Sequence, residues 1–323
     1  MAPALRPARV LGDVGGTHTR FAWQDTDSAP LRDIVTLPTA GYASLAAALA
    51  HYLQVLARYA PPWCSIGIAN PITGDRVEMT NGDWSFSIAA LKRKFGFKRL
   101  VVINDFTALA LALPDLPRDE LKQLGGGAPV AGAPIALIGP GTGLGVSGLL
   151  PGTRPGVWRP VHGEGGHVTL AAGNAREAAV IEVLRSRLDH VSAEHAVSGQ
   201  GLEALHAALV HLDGTTATQP PLPAPEISRR AMRGGDPLCS EALELFCSFL
   251  GNVAGNLALT LGARAGVYIG GGIVPRLGDA FTRSGFRASF ESKGRFRSYL
   301  EPIPVFVIHA EVSPALLGAA RAL

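Results

Sequence analysis

The chain has 323 residues, 47% of them hydrophobic and 17% charged, enough apolar material for one large or two ordinary α/β domains and far from a disordered composition. The net charge of +3 is small, and the densest basic stretches, "LKRKFGFKR" (91–99) and "KGRFRSY" (293–299), read as solvated helix ends or loops, so no nucleic-acid partner is expected. Three cysteines, Cys64, Cys239 and Cys247, share no metal-like spacing and are too few for a disulfide framework; they read as reduced packing thiols of a cytoplasmic protein.

"MAPALRPARV" (1–10) has no apolar signal-peptide core, and no run of about 18 apolar residues predicts a membrane span. "ARVLGDVG" reads as a strand entering a glycine turn, and "RFAWQD" and "DIVTLP" extend it into a three-stranded meander. Residues 44–60 predict a helix, with Ser44 as N-cap and leucines at 45, 49, 53 and 56. "CSIGIAN" (64–70) and "DRVEMTN" (75–81) read as strands, "SIAALKRKFG" as a short helix, and "KRLVVIND" as a buried strand that hands Asn104-Asp105 to the helix of "FTALALAL". A boundary is expected within 113–134, where "PDLP" and "GGGAPVAGAP" are turn-rich. The theme then restarts. "PIALIGPGTGLGVSGLL" repeats strand, glycine turn, strand, as a weak internal duplication of the opening.

The second half predicts helices over 175–188, 199–212 and 237–262, the last with Asp236 as N-cap and Pro237 at the first helical position. Between them "TTATQPPLPAPE" (215–226) reads as an exposed loop. "AGVYIGGGIVPRL" is a third strand running into glycines, and "PVFVIH" and "SPALLGAARAL" close the chain as strand and helix. Strands alternating with helices predict an α/β architecture.

Three glycine turns carry the functional signal. In "DVGGTHTR", Gly15 and Gly16 supply bare backbone N–H groups and Thr17 a hydroxyl, a pattern suited to an anion nest as well as to a plain turn. Asp13 would repel phosphate directly but suits Mg²⁺ or its waters. Arg20 either pairs with a nearby carboxylate or simply stands where the turn becomes strand again. "GPGTGLG", with Gly141, Thr142 and Gly143, fits neither a P-loop nor a Rossmann fingerprint, because the chain continues as a strand. Two such nests could hold one polyphosphate. Gly270, Gly271 and Gly272 leave room for a flat ring, or form a simple turn.

Asn104 and Asp105 end a strand and open a helix, where Asp105 suits an N-cap, or the pair suits a sugar site in which Asp105 accepts the proton of an attacking hydroxyl. Glu164 and His167 in "HGEGGHVTL" stand three apart; zinc would need a third ligand. Glu194 in "SAEHAVSG" could be a first-turn charge ahead of a helix.

Together these segments resemble the bacterial glucokinases of the proteobacterial type, in the hexokinase–actin–Hsp70 ATPase superfamily. The matching stretches are "GDVGGTHTRFAW", "IANPITGDRVEMTNGDWSFS", "VINDFTALALALP", "IGPGTGLGVSGL", "GEGGHVTLA", "SGQGLEALH", "LFCSFLGNVAGNLALTLGARAGVYIGGGIVPR", "SGFRASFESKGRF" and "IPVFVI", in family order over nearly the whole chain. The resemblance implies a two-domain actin-like ATPase (ribonuclease H-like) fold, with a small domain over 1–115 completed by a C-terminal helix at about 309–323. A large domain over 116–308 would close with it over a cleft when sugar binds. It also implies a homodimeric, ATP- and Mg²⁺-dependent kinase acting on the 6-hydroxyl of glucose. Asp105 falls on the catalytic base, and Asn104, Asp105, Glu164, His167 and Glu194 on the glucose contacts. Asp13, Gly15, Gly16 and Thr17 match the first phosphate loop, Gly141, Thr142 and Gly143 the second, and Gly270 to Gly272 the adenosine region. The repressor–ORF–kinase relatives share the first loop but carry a cysteine-rich zinc signature, whereas no cysteine lies between 65 and 238 here. Their repressors also place a DNA-binding helix-turn-helix ahead of the first strand, which here begins near residue 8. A kinase for another hexose or phosphoryl donor, or a sugar sensor without catalysis, are the alternatives.

Overall fold

The computed structural model describes residues 7–80, 82–214 and 221–323. Readings that fall on 1–6, on Asn81 and on 215–220 lie outside the described residues. The chain divides into two compact units, one of residues 1–117 with 310–323 and one of 118–309.

In the first unit, β1 (Arg9–Val14), β2 (His18–Gln24) and β3 (Arg32–Pro38) form the expected meander. Helix α1 (Leu45–Val55) starts where the Ser44 hydroxyl accepts the Ala47 N–H at 3.1 Å. It ends five residues before the expected 60, and Ala57 just beyond it takes a positive φ of 49° that no helix continues through. Next come β4 (Trp63–Ile68), a short hairpin of β5 (Arg76–Glu78) and β6 (Ser85–Ser87), and α2 (Ile88–Phe95). Among the described residues of the strand expected over 75–81, the strand is Arg76–Glu78. Helix α2 ends in Lys92, Arg93 and Lys94 and stops at Gly96, whose φ of 68° suits a left-handed cap. Strand β7 (Arg99–Asn104) leads into α3 (Asp105–Ala112). The sheet order is β3-β2-β1-β4-β7, with β1, β4 and β7 parallel.

The second unit holds β8 (Leu121–Gln123), β9 (Ile135–Pro140), β10 (Leu144–Pro151) and β11 (Trp158–Val161). Helices α4 (Ala175–Arg185), α5 (Gly199–Leu212), α6 (Ala224–Arg233) and α7 (Pro237–Leu261) follow. The loop reading of 215–226 is therefore corrected at its end: Ala224 to Glu226 open a helix. Pro223 stands as its N-cap and Glu226 pairs with Arg229 and Arg230 one turn on. The unit closes with β12 (Val267–Ile269), the short helices α8 (Val274–Leu277), α9 (Asp279–Arg283), α10 (Phe286–Glu291) and α11 (Arg297–Leu300), and β13 (Val305–Ile308). Its sheet runs β11-β10-β9-β12-β13-β8.

Helix α7 is long and apolar enough to cross a membrane by length and composition, but 67% of its apolar stretch is buried inside the protein. Gly251 and Gly255, one turn apart, face α10: a Cβ on either would meet the Phe286 or Phe290 carbonyl oxygen at 2.1 and 2.5 Å. Cys239 and Cys247 sit buried on this helix, and burial pushes both thiols up to about 12, so they stay protonated and unreactive at neutral pH.

The last helix, α12 (Pro314–Arg321), belongs to the first unit. Side-chain alternation along β1 explains this. Val10 joins Ile66, Leu45, Leu49 and Tyr52 on one face, while Leu11 joins Leu316, Ala319 and Leu323 on the other. Gly318 touches the backbone of α3, since a Cβ there would overlap the Ala108 carbonyl at 1.5 Å.

Candidate active site

In the first unit the candidate residues gather at the C-terminal edge of the parallel strands. Val14, Ile68 and Asn104 are in register across β1, β4 and β7, the edge where open α/β sheets place ligands. Asn104 caps α3, its Oδ1 accepting the Phe106 and Thr107 N–H groups at 2.9 and 3.1 Å. Its Nδ2 donates to Asp105 Oδ1 at 3.1 Å, and Phe106 N–H donates to the same oxygen at 2.9 Å. The Asp105 carboxylate is thus half-buried and aimed by two donors. Gly67 makes room for it: a Cβ there would meet the Ala108 Cβ at 3.0 Å and lie 3.5 Å from the Asp105 Cα. The expected N-cap aspartate is corrected: the cap is Asn104, which keeps an extended backbone, whereas Asp105 is already the first helical residue.

Asp13 and Arg20 face each other across β1 and β2, and the Arg20 guanidinium donates to Asp13 Oδ2 at 3.2 Å. This answers the open question of Arg20. The Gly15 N–H donates to the His18 carbonyl at 2.9 Å, closing the turn. Thr39, in a 3-10 turn over Thr39–Gly41, holds its back. Its hydroxyl donates to the Gly15 carbonyl at 2.8 Å and its N–H to the Thr17 carbonyl at 3.0 Å. Having given its proton to Gly15, the Thr39 hydroxyl accepts from Thr19, at 2.9 Å. In a trans peptide the N–H points opposite to the C=O, so a Gly15 carbonyl held by Thr39 turns the Gly16 N–H away from it. Neither the Gly16 nor the Thr17 N–H has an acceptor among the described residues. Thr39 was missed in the sequence; its signal is the β2–β3 register, which sets Pro38 opposite His18.

In the second unit the turn between β9 and β10 carries the other loop. The Gly141 N–H donates to the Gly143 carbonyl at 2.8 Å, and the Gly199 N–H at the start of α5 donates to the Gly141 carbonyl at 2.9 Å. Glu194, in a 3-10 turn over Ala193–His195, accepts the Leu144 N–H on Oε2 at 2.7 Å. The Thr142 and Gly143 N–H groups are left without acceptors among the described residues. Gly271 has φ of 77° and lies against β9, where a Cβ would sit 2.3 Å from the Pro140 carbonyl. The third glycine cluster thus adjoins the second loop.

Glu164 precedes and His167 ends a 3-10 turn over Gly165–His167, with both residues exposed. The turn lies on β10 because Gly165 and Gly166 have no side chains: Cβ atoms would meet Val146 Cγ1 at 2.7 Å and the Leu144 carbonyl at 2.1 Å. The segment beyond bonds to the Glu194 turn through the Ala193 N–H and the Val168 carbonyl, 2.9 Å apart. So Glu164, His167, Glu194, Gly141 to Gly143 and Gly270 to Gly272 share one region of the second unit. Asp13, Gly15 to Thr17, Asn104 and Asp105 share one region of the first.

Among the described residues no three His, Cys, Asp or Glu side chains cluster to cage a metal ion. A single carboxylate with one oxygen given to Arg20 suits Mg²⁺, which keeps its waters and takes phosphate oxygens.

A family model described as Glucokinase matches residues 10–323. The glucokinase of Aromatoleum aromaticum is 58% identical over 319 residues, 98% of this chain and 94% of that protein. The crystal structure of a glucokinase from an Antarctic psychrotroph is 35% identical, covers 98% of this chain and 99% of its own, and has a TM-score of 0.87. A ROK family glucokinase from Streptomyces griseus in complex with glucose and AMPPNP is 20% identical, covers 98% of both chains and shares the fold with a TM-score of 0.63. The two α/β units are those of the two-domain actin-like ATPase fold, and the chain belongs to the glucokinase family.

Proposed function

We propose that this enzyme transfers the γ-phosphoryl group of ATP to the 6-hydroxyl of D-glucose, giving glucose 6-phosphate and ADP at the entry to glycolysis. The observation that carries the reading is the Asn104-Asp105 pair, with an aimed carboxylate beside an amide that is itself fixed as a helix cap. Asp105 is the general base that takes the proton of the 6-hydroxyl as its oxygen attacks the γ-phosphorus. Asn104, Glu164, His167 and Glu194 hold the other sugar hydroxyls. The free N–H groups of Gly16, Thr17, Thr142 and Gly143 receive phosphate oxygens, and Gly270 to Gly272 receive the adenosine. Mg²⁺, when bound, neutralises charge on the β- and γ-phosphates, with Asp13 holding its waters. Family likeness supports a homodimer working in the cytoplasm, without nucleic-acid or membrane partners.

The test is a coupled ADP-release assay on glucose, mannose, fructose and N-acetylglucosamine against ATP, ADP and polyphosphate. Glucose with ATP is expected to give the highest kcat/KM, because a site that hydrogen-bonds each hydroxyl penalises analogues that lack or reposition one. Preference for another sugar or donor would replace the substrate. Calorimetric sugar binding without turnover would make the protein a sensor.

A further inference from the structure

Glu194 has a place in the second unit that a sugar contact alone does not require. Its Oε2 accepts the N–H of Leu144, a buried residue directly after the second glycine loop, at 2.7 Å. The Gly143 carbonyl lies on the opposite side of that same peptide and accepts the Gly141 N–H at 2.8 Å. These two bonds fix the peptide that closes the loop, and the Thr142 and Gly143 N–H groups beside it have no acceptor among the described residues. The carboxylate also rests against Gly143 itself, since a Cβ there would lie 2.4 Å from Oε2. The backbone under Glu194 is held from both sides. The Ser192 N–H donates to His195 Nδ1 at 3.1 Å, and the Ala193 N–H donates to the Val168 carbonyl at 2.9 Å. The side chain is therefore the part that can respond. Oε1 has no partner among the described residues.

We propose that Glu194 is also the positioning residue of the second glycine loop, so that one carboxylate links sugar affinity to nucleotide affinity. The inference rests on the glucose kinase reading above and deepens it. With Oε1 on a sugar hydroxyl and Oε2 on the Leu144 N–H, the sugar fixes the rotamer that fixes the loop. By thermodynamic reciprocity the nucleotide strengthens sugar binding by the same factor.

Two glycines of the same loop provide a matched pair. Neither has a positive φ, so alanine suits both backbones, but a Cβ on Gly141 meets nothing within 4 Å. On Gly143 it displaces a side-chain end and leaves the backbone in place. Glucose is titrated calorimetrically without nucleotide, and AMP-PNP without sugar, into the full-length wild type, Gly143→Ala, Gly141→Ala and Glu194→Gln. Gly143→Ala, a change in a phosphate loop, is expected to weaken glucose binding about tenfold or more, the worth of a displaced charge-assisted hydrogen bond. Gly141→Ala is expected to leave glucose affinity within about twofold, since nothing near it must move. Glu194→Gln is expected to weaken AMP-PNP roughly threefold to tenfold, although it contacts no nucleotide in this reading, and to bring the glucose effect on AMP-PNP affinity towards one. Wild-type glucose affinity in Gly143→Ala overturns the inference, as does unchanged AMP-PNP affinity in Glu194→Gln. If Gly143→Ala does not fold, the Glu194→Gln titration decides alone. A wild type that binds no glucose overturns the sugar reading and the inference with it, an outcome distinct from both.

Discussion

The two glycine loops are the same device held in two ways. Each joins antiparallel strands, β1 to β2 and β9 to β10, and each presents two successive N–H groups without acceptors among the described residues. The first is held from behind by Thr39, 3% exposed and uncharged, through its hydroxyl and its main chain. The second is held by the half-buried carboxylate of Glu194, with an oxygen to spare. A buried neutral latch sets a shape and keeps it. A charged latch that reaches a second ligand makes the shape depend on that ligand.

The largest effect is expected from a residue outside both loops. Asp105→Asn should lower kcat by about 10²- to 10⁴-fold, the usual span for losing a general base. Its glucose and AMP-PNP affinities should stay near wild type. A coupled ADP assay with calorimetry separates the two, and near-wild-type turnover would remove Asp105 from its role.

Thr39→Val tests the fixed loop directly. The substitution keeps shape and deletes the donor to Gly15, leaving a carbonyl short of a partner, at a cost of about 1–3 kcal/mol. AMP-PNP affinity should fall about tenfold while glucose affinity stays unchanged, whereas Gly143→Ala is expected to weaken glucose. A matching loss of glucose affinity would erase the difference between the loops.

How far the sequence foretells this site depends on how local each signal is. The two glycine loops, the Asn104-Asp105 hand-over and the caps at Ser44 and Asp236 are set by neighbouring residues, and all were legible. Thr39, Gly67 and the Glu194–Leu144 bond lie 24, 38 and 50 residues from the positions they serve, respectively Gly15, Asp105 and Leu144. They join only through strand register and close packing, which no local pattern records. Helix α6 was lost for the opposite reason: "QPPLPAPE" is rich in proline, yet proline at a helix start stabilises it.

Arg20→Gln sharpens the first loop from its other side. The pair with Asp13 is part-exposed, 38% on Arg20 and 13% on Asp13, so its stability contribution is expected to be about 0–1 kcal/mol. Freed from Arg20, the Asp13 carboxylate loses a fixed orientation, and the Mg²⁺ concentration for half-maximal turnover should rise about two- to fivefold. A Mg²⁺ titration at saturating glucose and ATP checks this; an unchanged Mg²⁺ requirement would make the pair purely structural.

The smallest functional effect belongs to a cap in the second unit, and it guards against reading general instability as a loop effect. Asp236 Oδ1 accepts the Cys239 N–H at 3.1 Å at the start of α7, and Arg230 stands 3.5 Å from its other oxygen. Asp236→Ala should lower unfolding stability by about 1 kcal/mol and leave both ligand affinities unchanged. The Cys239 backbone N–H, with Arg230 adding, holds the Asp236 carboxyl below its ordinary value in the folded protein. A depressed carboxyl stabilises the fold above its unfolded value of about 3.9 and loses that contribution as pH falls through the lower folded value. The gap between wild type and Asp236→Ala in urea unfolding should therefore be constant from about pH 5 to 8 and shrink below about pH 4. If Asp236→Ala weakened glucose or AMP-PNP as Gly143→Ala and Thr39→Val are expected to, those losses would report a softened unit instead of a moved latch, and the contrast between the two loops would fall with them.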